Sequence, residues 1–146
     1  MKYVLIFGAL AVVLIAGALF LVERKIRART RRVLAAQQPV TGERVIEQRM
    51  AVSTAFSDGM PAPLDQGDLE VVCTDSVLAA GRLVIPIAAV EDAALEHGAL
   101  RVRWSGGGEK LVTSLTGPVH DLERLRREIH LRQPNVIERL LSMVQK

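Results

Sequence analysis

The chain has 146 residues, a formal net charge of +3 and one cysteine. Once its long apolar segment is set aside, that length suffices for one small domain and excludes two domains with separate cores. A lone Cys73 excludes an internal disulfide framework. The charge divides by region: Lys2 stands alone, residues 23–50 carry +5 and residues 51–146 carry −3. The basic balance therefore belongs to one short stretch, and no nucleic-acid partner is expected.

Residues 3–22 are twenty consecutive uncharged, apolar or small residues. A helix of that length reaches about 30 Å, the thickness of a bilayer hydrocarbon core, which predicts one transmembrane helix over residues 1–22. Arg24, Lys25, Arg27, Arg29, Arg31 and Arg32 follow at once, opposed only by Glu23. This basic collar is expected to lie at the membrane surface and to keep the rest of the chain cytoplasmic, as a single-pass protein of the inner (cytoplasmic) membrane. The rival reading is a cleaved signal peptide with Ala16-Gly17-Ala18 as its processing site. Against it, the apolar run continues past Ala18 and arginines follow directly, while Cys73 lies too far from the run to accept a lipid. No two of the small residues Gly8, Ala9, Ala11, Ala16, Gly17 and Ala18 are four apart, so strong self-association through this helix is not expected.

Helical character is expected to continue over residues 23–37, as a basic juxtamembrane helix and linker ending by Pro39 and Gly42 (residues 23–42). From residue 43 the period changes to two, with Ile46, Met50, Val52 and Phe56 on one parity, suiting a strand or a bent pair of strands. Residues 57–68 hold Gly59, Pro61, Pro63 and Gly67 and read as a loop with little to bury. Residues 69–74 form a short strand, 74–76 a turn, and 77–87 further strand material in which Pro86 marks an edge or an end. Glu91-Asp92 reads as a solvated turn at a strand exit. In residues 99–105, Leu100, Val102 and Trp104 alternate with Arg101, Arg103 and Ser105, implying an antiparallel sheet wet on one side. Gly106, Gly107 and Gly108 supply a hairpin, and residues 110–116 return with Leu111, Thr113 and Leu115 facing inward. Pro118 opens a helix whose buried stripe is Leu122, Leu125 and Ile129. A terminal amphipathic helix from about Asn135 presents Ile137, Leu140, Leu141 and Val144.

The expected fold class is α+β. It comprises the transmembrane helix, a small antiparallel β-roll or half-barrel with a capping helix over residues 43–132, and the terminal helix over residues 133–146. Residues 71–78 (Val-Val-Cys-Thr-Asp-Ser-Val-Leu), residues 83–90 (Leu-Val-Ile-Pro-Ile-Ala-Ala-Val), the Trp104 hairpin and the Leu122 helix resemble the bacterial pleckstrin-homology-like and GRAM-like domains, over residues 69–132. The resemblance implies a seven-stranded bent sheet plugged by the helix. Inositide-binding members of that family use a basic loop between their first strands. Here residues 57–68 carry Asp58, Asp65 and Asp68 and no lysine or arginine, which turns the expectation from inositides to protein recognition.

Catalytic constellations are not found. His120 and His130 are ten residues apart, about 15 Å along a helix, too far to share a metal ion. Gly106-Gly107-Gly108-Glu109-Lys110 lacks the spacing of a phosphate loop. No catalytic residue, metal or cofactor is therefore expected. The expectation is a non-enzymatic interaction or scaffolding module with a membrane and an unknown protein as partners. Arg101, Arg103, Ile137, Leu141 and Val144 are its candidate partner-binding residues. The competing expectation is a small ligand sensor or enzyme with a pocket between sheet and helix.

Overall fold

Helix α1 (Lys2–Ala35) runs unbroken through the apolar segment and the basic collar in the computed structural model, which describes residues 1–132 together with Leu141, Met143 and Val144. Its apolar half touches nothing: Leu5, Leu10, Leu14 and Leu21 are all more than half exposed. Among the described residues this is the single helix long and apolar enough to cross a membrane, a test that a signal sequence also meets. Its far end is different. Thr30 and Val33 are buried and Ile26 packs against the core of the following domain.

Seven antiparallel strands follow: β1 (Arg44–Phe56), β2 (Gly67–Thr74), β3 (Val77–Ala80), β4 (Leu83–Pro86), β5 (Val90–Glu96), β6 (Ala99–Gly106) and β7 (Glu109–Thr116). Helix α2 (Val119–Arg132) comes after them. The fold is α+β, with a long apolar helix, a seven-stranded sheet and a second helix, in the order β4-β3-β2-β1-β7-β6-β5. Strand β1 reconciles the two expectations for its segment. It is one strand with two partners, pairing with β2 over Arg44 to Val52 and with β7 over Ala51 to Phe56.

The connection between the outermost strands shapes the sheet. β4 ends at Pro86 and β5 begins at Val90, joined by a single turn of 3-10 helix, Ile87–Ala89. In a flat sheet six strand spacings would separate these edges by about 29 Å. Three linking residues span far less, roughly 14 Å at full extension. The sheet must therefore curl into a half-barrel whose two edges approach, and α2 lies at the gap against β5, β6 and the 3-10 turn. Leu122, Leu125 and Ile129 are fully buried there, as their helical spacing predicts. Each contributes about 1.5–3 kcal/mol of transfer free energy relative to exposure. The sheet's inward parities also hold, with Ile46, Met50, Val52 and Phe56 on β1, Leu100, Val102 and Trp104 on β6, and Leu111 and Leu115 on β7 all buried.

The strand material expected over residues 77–87 is a hairpin turning at Gly81 and Arg82, and Pro86 ends its second strand at the sheet edge. Three expectations need correction. Residues 57–68 are not a bare loop: Ala62 and Leu64 are buried in the core and β2 starts at Gly67. Glu91 and Asp92 lie within β5, where a bulge between Val90 and Asp92 breaks the alternation that would have marked a strand. Finally, α1 stops at Ala35, two residues short of Gln37, and the stretch after it is tied down instead of swinging free. The Gln37 side chain accepts the Val84 N–H on edge strand β4, and Thr41 accepts hydrogen bonds from the Thr74 and Ser76 hydroxyls. The opposite edge is covered too, since His130 Nε2 donates to the Ala93 carbonyl of β5 at 3.0 Å.

Candidate functional site

The collar of α1 meets the domain at the end of the half-barrel where β1 finishes and the β6–β7 hairpin turns. Arg29 is the centre of this contact, with its side chain only 11% exposed. It donates to Glu109 Oε2 at 3.0 Å and to Asp58 Oδ2 at 2.8 Å, and its guanidinium lies 3.9 Å from the centroid of the Phe56 ring. Arg32 reaches the other oxygen of Glu109 at 3.0 Å. Arg29 and Glu109 are matched where both side chains are shielded from water, Asp58 and Arg32 join them from the exposed rim, and the aromatic face adds a favourable term beneath the guanidinium.

The hairpin tip permits this approach because it is glycine. Gly107 has φ +60, and a Cβ there would collide with the Arg32 carbonyl and stand 2.8 Å from the Val33 nitrogen. Gly106-Gly107-Gly108 is thus a seat for the helix backbone as well as a turn. That role was not legible in the sequence, where the three glycines indicated only a hairpin.

The collar residues divide accordingly. Arg29 and Arg32 are committed to the domain and Arg27 pairs with Glu23 along the helix. Arg24, Lys25 and Arg31 are exposed on α1. The acidic residues here are committed as well: in the β1–β2 connection Asp58 to Arg29 and Asp65 to Arg82, and at the start of β2 Asp68 to Arg49. The Met60 backbone N–H and then Arg29 hold the Asp58 carboxyl below its ordinary range. Arg82, through its side chain and backbone N–H, does the same for Asp65.

On the outer face of the sheet a shallow groove of about 530 Å³ runs beside this docking contact. Its floor includes Ala55 and Val112, opposite each other on β1 and β7, and its wall carries Arg101, Arg103 and Lys110. Arg101 pairs with Glu96 at 3.2 Å, and Glu91 accepts from the Ser105 hydroxyl at 2.9 Å. Arg103 and Lys110 are exposed and have no ion-pair partner among the described residues.

Leu141 and Val144 are exposed, at 56% and 82%, and Ile137 lies outside the described residues. Trp104 is core. Its indole N–H donates to Thr113 Oγ1 at 2.9 Å, and that hydroxyl lies 3.0 Å from Thr54 Oγ1. Leu122, Leu125 and Ile129 pack between the sheet and α2 as part of the core. Among the described residues no three His, Cys, Asp or Glu side chains converge as a metal site. Cys73 is fully buried and its thiol is pushed up to about 11, chiefly by burial.

No protein-family model matches the chain, and no curated protein matches it.

Proposed function

We propose that the protein is a single-pass membrane protein whose pleckstrin-homology-like half-barrel is a non-enzymatic interaction module on the cytoplasmic side. The observation that carries this reading is the continuity of α1. One helix passes from a fully exposed apolar stretch into a collar whose Arg29 and Val33 are embedded in the domain. An exposed apolar surface of that extent is unstable in water and stable in lipid. Cleavage after Ala18 would leave Leu19, Phe20 and Leu21, each more than 60% exposed, on a soluble product, which argues for an anchor over a signal peptide. Exposed Arg24, Lys25 and Arg31 suit the cytoplasmic leaflet. The seven-stranded curled sheet and its plugging helix support the family resemblance. The groove wall formed by Arg101 and Arg103 is the surface offered to an acidic protein partner.

The test has two arms. A cysteine placed at exposed Asp92 in intact cells should resist a membrane-impermeant thiol reagent until the membrane is permeabilised; labelling without permeabilisation would reverse the orientation. Crosslinking from native membranes should capture a protein with the parent chain and lose it with the Arg101→Glu, Arg103→Glu double variant. Capture that this variant leaves intact would remove the groove from the proposal.

A further inference from the structure

The point along α1 at which the domain first touches it sets the domain's height above the bilayer. The apolar run ends at Val22, and Ile26, four residues on, already packs against the domain core. At 1.5 Å per residue that contact begins about 6 Å beyond the hydrocarbon edge, and Arg29 stands at about 10 Å. Helix tilt only lowers these heights. The headgroup layer on each face is itself roughly 5–8 Å thick. No flexible joint intervenes, because α1 is continuous and its collar is clasped by Glu109, Asp58 and the Gly107 backbone seat.

We infer that the half-barrel rests on the anionic headgroups of the membrane that α1 enters, through the edge formed by residues 57–59 and Lys110. This rests on the anchor reading proposed above. Residues 57–59 adjoin Arg29, since Asp58 is its partner, and the Ser57 N–H donates to the Lys110 carbonyl, so Lys110 shares this edge. The charges here fit a negative surface. Asp58 and Glu109 are paired with Arg29 and Arg32; Glu91, hydrogen-bonded to Ser105, keeps its negative charge, and the cations here without an ion-pair partner among the described residues are Arg24, Lys25, Arg31 and Lys110, so positive charge is in excess. Cations so placed are drawn to anionic lipid.

The experiment uses the full chain reconstituted into vesicles of phosphatidylcholine and phosphatidylglycerol that include a headgroup-nitroxide lipid. Single cysteines at exposed Ser57, on this edge, and at exposed Thr116, at the other end of β7, carry a fluorophore. The expected result is loss of most of the emission at Ser57 and little loss at Thr116. A second variant inserts two helical turns of polar helix-forming residues after Glu23, which raises the domain by about 10 Å without touching the clasp. Quenching at Ser57 should then fall to the Thr116 level. Equal, weak quenching at both positions in a chain that co-floats with the vesicles and resists alkaline extraction would overturn the inference while leaving the anchor intact. Undiminished Ser57 quenching in the lengthened variant would overturn it as well. A chain that fails to co-float would overturn the anchor reading and this inference with it.

Discussion

Gly107 and Arg32 meet backbone to backbone: the β6–β7 turn lies so close to the last turn of α1 that any side chain at Gly107 would run into the Arg32 carbonyl. A hairpin that would otherwise be a solvent-exposed tip is thereby the seat of the helix that leads to the apolar segment.

Replacing Gly107 with valine should undock the helix. The positive φ alone costs a non-glycine residue about 1–2 kcal/mol, and the collision with Arg32 adds to it. Gly108→Ala is the control, because its φ is +78 but nothing lies within 4 Å of the added carbon. Hydrogen exchange over residues 29–35 should rise sharply in G107V and little in G108A. Equal protection in both variants would mean that the seat does not hold the helix.

Arg29→Gln should destabilise the docked state by about 1 kcal/mol, the scale of a charge-assisted hydrogen bond after solvent screening. Arg27→Gln should have no measurable effect, because its pair with Glu23 is 67% and 61% exposed. Salt should weaken the Arg29 contribution only modestly, since Arg29 and Glu109 are 11% and 14% exposed. Denaturant midpoints of the two variants, at low and high salt, check both statements.

Acid should loosen the β1–β2 connection. Asp58 and Asp65 titrate below their ordinary range in the folded chain, so they contribute stability that is present above the unfolded carboxylate pKa of about 4 and lost as pH falls through their lower folded values. The Asp65→Asn variant should therefore show a shallower acid limb in a pH titration of the unfolding midpoint. An unchanged limb would show that the Arg82 pair carries none of it.

Cys73 should be silent to thiol reagents at pH 8 in the folded chain and react fully in denaturant, because it is buried and its thiol is raised to about 11. The same shift works against the fold in alkali. Its contribution is complete below the unfolded thiol pKa of about 8.5 and is lost as pH rises toward the folded value. Topology must accordingly be read from introduced surface cysteines.

Thr113→Val should cost about 1–3 kcal/mol, because it strands the buried indole N–H of Trp104. Thr54→Val should cost less, since Trp104 keeps its acceptor. Thermal unfolding of the two variants ranks them, and the reverse order would show that the hydroxyl pair of Thr54 and Thr113 matters more than the indole bond.

The elements that could be read from the chain alone are those whose signal is local. Twenty uncharged residues make a helix of bilayer length, Leu100, Val102 and Trp104 alternate because a strand's side chains do, and Leu122, Leu125 and Ile129 recur at the helical period. The number of strands before residue 69 was not legible in the same way, and the sheet has seven strands in all among the described residues. Strand β5 escaped because its bulge at Glu91 cancels the alternation, and Ala62 and Leu64 looked like loop because prolines surround them. Docking of the collar could not be read in advance for a different reason. Arg29 and Glu109 are eighty residues apart, and an arginine's partner is chosen by the closure of a barrel and the reach of a hairpin, not by its sequence neighbours. Six basic residues after an apolar run suggest one solvated collar by composition; only the tertiary structure turns Arg29 and Arg32 into the domain and leaves Arg24, Lys25 and Arg31 exposed, because burial is a property of the packed surface and not of the residue.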